Sequence, residues 1–158
     1  GFSDADLSAN REGKLSESQL FALQKRRSRV IYIGLGAFGV LTILATLFLF
    51  MGSKPDNSGI LSLIGVGLSI CNALMIGIFF RAWLRLNGDI NGGRVLAISG
   101  KLERVLKPLN RRVMTYILRI DSVEMVVNKE VFIAFEHEAT YTLYRTPYNR
   151  TLVSAERG

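Results

Sequence analysis

The chain has 158 residues, 49% of them hydrophobic, and its 20 Lys and Arg against 13 Asp and Glu give a formal net charge of +7. That length suits one ordinary domain, and the apolar content excludes disorder as a whole-chain state. A single Cys and a single His exclude an intramolecular disulfide, a Cys-rich zinc or iron–sulfur site and a His-rich metal cluster.

Residues 1–29 read as a polar N-terminal arm. Ser8-Ala-Asn10-Arg-Glu12-Gly13-Lys-Leu15-Ser16-Glu-Ser-Gln19-Leu20 resembles a calcium-binding EF-hand loop in register, with Gly13 on the tight-turn position and Leu15 on the apolar one. Ser8 stands where the first Asp belongs, and Gln19 where the bidentate Glu belongs, so the ligands that hold calcium are missing. The expectation is therefore a turn feeding a capped helix. Ser16 and Gln19 have capping-box spacing, and Leu15 and Leu20 are placed as a hydrophobic staple. The helix is expected to run through Lys25, Arg26, Arg27 and Arg29 into the apolar segment that follows.

Between Val30 and Phe80 the only charged side chains are Lys54 and Asp56. Val30–Met51 holds 22 uncharged residues, which as a helix reach about 33 Å, enough for a hydrocarbon core of roughly 30 Å. Ile60–Phe80 adds 21 residues with Asn72 as the strongly polar exception. Neither segment has a polar face, and a helix in lipid satisfies its own backbone, so residues 30–83 predict a transmembrane hairpin with spans 30–51 and 60–80. The eight-residue connection Gly52–Gly59 is rich in turn formers and joins antiparallel neighbours. Basic residues flank the hairpin at Lys25–Arg29 and at Arg81 and Arg85, against Lys54 alone in the loop. The positive-inside rule then puts both termini in the cytoplasm of a bacterial plasma-membrane protein, with Tyr32 and Trp83 at the cytoplasmic interface. A cleaved signal peptide fits poorly, because the apolar run is too long and no small-residue cleavage site follows it.

Gly34-Leu-Gly36-Ala-Phe-Gly39 matches the dinucleotide-binding glycine pattern, but Val40–Met51 after it lacks the polar face that a nucleotide-binding helix needs. These glycines are expected to permit helix packing in lipid. The second span carries the sharper signal. Gly65, Ser69, Ala73 and Gly77 recur every four residues, with Ser62 and Asn72 beside them, which predicts a helix-packing face on which Asn72 bonds across the contact. Gly39, Thr42 and Thr46 form a lesser counterpart in the first span. Cys71, mid-span, reads as a small hydrophobe.

Asn87-Gly-Asp-Ile-Asn-Gly-Gly93 makes residues 84–93 a linker by composition. Residues 94–158 then change period. Arg94–Leu106 reads as a long strand, bent at Gly100; Val113–Ile120 and Val123–Val127 are strands around the turn Asp121-Ser122. Val131–Phe135 is a strand or one helical turn. Tyr141–Thr146 and Thr151–Ser154 flank a turn at 147–150. The predicted class is α+β: a two-helix transmembrane hairpin followed by a small cytoplasmic β-barrel-like domain, resembling SH3-like or OB-like modules.

No constellation in the chain supports catalysis, and no catalytic, cofactor-binding or metal-binding residue is assigned. Glu136-His137-Glu138 has ligand chemistry, but adjacent side chains diverge and no second His exists, so an exposed loop is expected. Asn149-Arg150-Thr151 is a glycosylation sequon that a cytoplasmic terminus leaves idle. The basic residues are dispersed, Arg111-Arg112 in a turn and others alternating with Glu, with no aromatic stripe for bases to stack on; nucleic acid is not an expected partner.

The ending Tyr141-Thr-Leu-Tyr144-Arg-Thr-Pro147-Tyr-Asn-Arg150-Thr-Leu-Val-Ser154-Ala-Glu156 resembles that of small bacterial two-transmembrane proteins with the pattern Y-x-V/L-Y-x-T-P-x-x-R/K-x-L-L/V-S-x-E. Asn10-Arg-Glu-Gly-Lys-Leu-Ser16 is similar to their start. Arg145 stands where that pattern has an aromatic residue. The resemblance implies the same architecture and adds no catalytic residue. The functional expectation is a non-catalytic accessory or assembly subunit of a larger integral-membrane complex. Part of the packing face Gly65, Ser69, Asn72, Ala73 and Gly77 would serve the hairpin itself and the remainder another membrane protein; the expected partners are a larger integral-membrane complex and the lipid bilayer, and a homo-oligomer is compatible. The alternatives are a self-assembling pore lined by Ser62, Ser69 and Asn72, and a membrane-anchored adaptor or sensor with the β-domain as receptor.

Overall fold

The computed structural model describes residues 3–55, 59–110 and 113–158. The Arg111-Arg112 turn, and residues 56–58 of the interhelical connection, lie outside them. The chain forms two compact units: residues 23–87, and residues 1–22 together with 88–158.

In the second of these, α1 (Asp4–Arg11) begins at a reciprocal capping box. The Ser3 hydroxyl accepts from the Asp6 amide at 3.1 Å, and the Asp6 carboxylate accepts from the Ser3 amide at 3.2 Å. Its end is a Schellman motif: Lys14 N–H donates to Ala9 O, Gly13 N–H donates to Asn10 O, and Gly13 takes a φ of 77°. Ser8 to Arg11 are therefore helical rather than part of a calcium-type loop, and the Asn10–Ser16 stretch is a turn into the next helix. That helix, α2 (Glu17–Gly52), starts at the capping box read from sequence: Gln19 N–H donates to Ser16 Oγ at 3.2 Å, and Ser16 N–H donates to Gln19 Oε1 at 3.1 Å.

Helix α3 (Ile60–Gly92) continues through the segment expected as a linker and stops at Gly93, whose φ of 57° places it in the left-handed region. Composition misled here. Gly88 lies against the Tyr148 ring, 3.0 Å from where a Cβ would stand, and Asp89 is buried, so tertiary contacts hold a helical turn that propensity alone disfavours. After it, Leu15 N–H donates to Gly93 O and Val95 N–H donates to Gly13 O, both at 2.9 Å. The N-terminal arm is thus stitched to the start of the sheet.

The sheet has five antiparallel strands in the order β3-β2-β1-β4-β5: β1 (Leu96–Asn110), β2 (Val113–Ile120), β3 (Val123–Val127), β4 (Thr140–Arg145) and β5 (Leu152–Arg157). It is open, with β3 and β5 as edges, where a barrel-like closure was expected. The reason is the length of β1. Its first half, Leu96–Lys101, pairs with β4, and its second half, from Leu102, pairs with β2, so the two hairpins lie along one strand instead of curling together. Gly100 sits at the change of partner, where a Cβ would stand 2.7 Å from Ile120 Cγ2. Val131–Phe135 falls largely within a helix, α4 (Lys129–Ala134), because Asn128 caps it by accepting from the Val131 amide at 2.9 Å. Leu102, Leu118, Ile120, Met125, Phe132, Phe135, Tyr141 and Leu143 form the core between the sheet and α4. Each such fully buried side chain contributes about 1.5–3 kcal/mol of transfer free energy.

The other unit consists of α2 and α3 from Leu23 to Asn87. Pairs across it run in reverse order: Arg27 with Asn87, Gly34 with Phe79, Thr42 with Asn72, Leu49 with Gly65, and Gly52 with Ser62. The helices are antiparallel, and both are long and apolar enough to cross a membrane. Their outer faces are apolar as well, with Leu63 71% and Ile78 66% exposed, a larger apolar surface than soluble monomers ordinarily present.

Candidate functional site

The five residues of the expected packing face separate into three environments. Gly65 is buried in the hairpin seam, where a Cβ would stand 2.7 Å from Leu49 Cγ and 2.9 Å from the Leu49 backbone nitrogen. Asn72 is buried too, 8% exposed, and its Nδ2 donates to Thr42 Oγ1 at 2.9 Å. Ser69 and Ala73 instead line a concavity of about 230 Å³ with Thr42, Ala45, Thr46 and Leu49. Gly77 faces open space, with nothing within 4 Å of a built Cβ. Geometry explains the split. At 100° per residue a four-residue repeat advances about 40° per step, so Gly77 lies about 120° around the helix from Gly65. The seam follows a shorter repeat, through Gly65, Leu68, Asn72, Met75 and Phe79, which are the buried or half-buried positions of this segment.

The hydroxyls around the concavity of Ser69 and Ala73 turn back on their own helices. Thr42 Oγ1 donates to Phe38 O at 2.8 Å, Thr46 Oγ1 to Thr42 O at 2.8 Å, and Ser69 Oγ to Gly65 O at 2.9 Å. Outward, this face mixes small polar residues with the aliphatic side chains of Leu49 and Ile76. A further concavity, of about 370 Å³, lies between the opposite halves of the same helices. Asn72 and Ile76 are common to both walls, and Asn72 Oδ1 has no hydrogen-bond partner among the described residues.

In the sheet unit the polar groups are locked into one another. Asn10 and Gln19 exchange amide hydrogen bonds at 2.8 and 3.0 Å; Asn10 also donates to Lys14 O, and accepts from Ser154 Oγ. Glu156 accepts from Arg11 Nη2 and from the Tyr144 hydroxyl, each at 2.5 Å. Arg11, then Tyr144, hold the Glu156 carboxyl below the usual range, while burial pushes the Tyr144 phenol up. The Asp6 carboxyl is likewise held well down, by hydroxyl donors from Ser16, Ser18 and Ser3. Asp89, 0% exposed, accepts from Tyr148 N–H at 2.8 Å and Asn149 N–H at 2.9 Å, which fixes the 147–150 turn. Thr146 closes that turn from inside, its Oγ1 accepting from Thr151 N–H.

Glu136, His137 and Glu138 diverge. Glu136 pairs with Arg157 at 2.8 Å and Glu138 with Lys101 at 3.5 Å, while His137 Nδ1 accepts from the Arg104 amide at 3.1 Å. On the outer face of β1–β3, Lys107 pairs with Glu124, and Arg119 bridges Glu103 and Glu124. Among the described residues no three His, Cys, Asp or Glu side chains gather as a metal-ligand set.

Reading the sequence missed Asp89 and the aromatic wall of the larger concavity. An acidic residue in a Gly/Asn-rich stretch looks like a solvated loop, Phe79 and Phe80 look like the ordinary end of an apolar span, and Trp83 reads as an interfacial anchor. The Gly92-Gly93 pair is the signal that could have marked a helix end, since glycine takes the left-handed turn that stops a helix. No protein-family model, curated protein or solved structure matches this chain.

Proposed function

We propose that this chain is a non-catalytic accessory or assembly subunit of a larger integral-membrane complex. It spans the bilayer as the α2–α3 hairpin with both termini on the cytoplasmic side, and the sheet domain covers the cytoplasmic face of the complex. The observation that carries this reading is the concavity of Thr42, Thr46, Ser69 and Ala73. Thr42, Ala45, Thr46, Ser69 and Ala73 leave room for a partner helix beside Leu49 and Ile76, and the hydroxyl hydrogens are already bonded within their own helices, which lowers the polar cost of covering them.

A pore is disfavoured on the sequence of α3. A conducting lining needs polar groups along its length, and the half from Ala73 to Phe80 carries none. The acid–base pairs on the sheet also weigh against a nucleic-acid surface, since most basic side chains of β1–β3 already face a carboxylate.

Mild-detergent extraction, a native gel and mass spectrometry of what co-migrates test the reading. An unrelated large membrane complex is the expected companion, and Ser69→Leu with Ala73→Leu should release the chain from it while the sheet domain stays folded. A homo-oligomer that conducts ions in a planar bilayer would replace this reading with the pore. Retention of the double variant would move the interface to another surface.

A further inference from the structure

Going beyond the subunit reading, we propose that the larger concavity of the helical unit binds a neutral lipophilic molecule that carries a hydroxyl group, with Asn72 Oδ1 as its hydrogen-bond acceptor. The concavity measures about 370 Å³, within the range of small-molecule sites, roughly 300–1,000 Å³. Its wall is apolar and aromatic: Phe38 from α2, with Phe79, Phe80 and Trp83 from α3. Phe80 and Trp83 stack at 5.8 Å with an interplanar angle of 21°, and Phe79 is seated against Gly34, 3.1 Å from where a Cβ would stand. Apart from the Trp83 indole, Asn72 is the polar side chain of this wall, and no charged side chain lines it.

Asn72 is more than nine-tenths buried. Its amide nitrogen is committed to Thr42, which lines the smaller concavity and not this one. The Thr42 hydroxyl donates to Phe38 O, so it can only accept from Asn72, and this fixes the amide with nitrogen toward Thr42 and oxygen on the other branch. Oδ1 then has no donor among the described residues. An unmade hydrogen bond in a low-dielectric setting is costly, which favours an occupant that supplies a donor. Oδ1 lies just beneath the wall of this concavity, so a donor reaches it by a small shift of the side chain that keeps Nδ2 on Thr42.

The other occupants fit less well. Water needs two to four polar partners and finds one carbonyl oxygen. An acyl chain alone leaves Oδ1 unsatisfied. A charged headgroup meets no countercharge. A partner helix needs small residues for close approach, and this wall is aromatic, whereas the smaller concavity has them. A lipophile with one hydroxyl satisfies both the apolar wall and the acceptor.

Trp83 is the chain's one tryptophan and lines the cavity, so it reports occupancy directly. Purified full-length protein in lipid nanodiscs would be titrated with ω-bromoundecanol, whose bromine quenches indole on contact, and with its methyl ether, which lacks the donor. The alcohol should half-quench at about three- to tenfold lower concentration than the ether, and unbrominated undecanol should restore the emission better than undecane. Asn72→Leu should bring alcohol and ether together while leaving quenching by the ether. Equal quenching by the two probes in the wild-type protein overturns the proposal without any variant. So does non-saturable quenching, or an alcohol preference that survives Asn72→Leu. Ser69→Leu with Ala73→Leu should leave the quenching unchanged, so failure here and failure of the subunit reading are separate results.

Discussion

Replacing Asp89 by Ala tests whether one buried carboxylate holds the 147–150 turn. Its oxygens accept two backbone N–H groups, at 2.8 and 2.9 Å, and the residue is fully buried. Hydrogen bonds to a charged group contribute about 1.5–3 kcal/mol each, and the two share one carboxylate, so a loss of about 3 kcal/mol is expected rather than the full sum. The substitution also leaves the Tyr148 and Asn149 amides without acceptors. For a unit of this size, about 4–8 °C per kcal/mol, the melting transition should fall by roughly 12–24 °C. Asp89→Asn is the sharper variant. It keeps the shape but turns one acceptor into a donor facing an N–H, so it should cost nearly as much as Ala. Differential scanning calorimetry of the detergent-solubilised protein gives the shift, and amide hydrogen exchange at Tyr148 and Asn149 reports the turn directly. A shift under 2 °C with unchanged exchange would show that the turn holds itself and that Asp89 is incidental.

Gly65→Ala should splay the helix pair, because the new methyl meets the Leu49 backbone nitrogen at 2.9 Å; about 1–3 kcal/mol should be lost in reversible detergent denaturation, whereas Gly77→Ala, in open space, should be neutral or slightly stabilising. The folded-state pKa values of Asp6 and Glu156 are depressed, so their stabilisation of the N-terminal arm is fully present above the unfolded carboxylate range near ~4 and is lost as pH falls through the lowered folded values. The melting temperature of wild type should therefore drop between pH 6 and pH 3 more steeply than that of Asp6→Asn with Glu156→Gln, and parallel profiles would refute the coupling. For the proposed topology, a cysteine at Ser53 should react with an impermeant thiol reagent outside intact cells and one at Glu138 should not, in a Cys71→Ala background. Glu138 is the suitable position because its side chain is exposed, while Ser154 is fully buried and would stay unlabelled on either side.

Local and one-dimensional signals were decided by the sequence alone. The two long apolar helices follow from uncharged runs with no polar face, and the Ser16–Gln19 cap follows from two residues three apart whose atoms need nothing else. The strands Val113–Ile120 and Val123–Val127 follow from β-branched runs around a two-residue turn, and both were read to the residue. Tertiary structure decided whatever depends on partners remote in sequence. The apparent linker at 84–93 is helical as far as Gly92 because Tyr148 and Asn149, some 60 residues on, supply the contacts. The sheet is open because one long strand divides itself between two hairpins, which no alternation pattern encodes. The four-residue stripe on α3 was visible, but which of its members face α2 depends on the drift between that stripe and the seam, and so on the packed helix pair. Asn10-Arg11 and Ser154–Glu156 stand at opposite ends of the sequence. Only the fold brings them together, with Asn10 on Ser154 and Arg11 on Glu156, because hydrogen bonds and ion pairs are set by distance in space and carry no trace in a linear spacing.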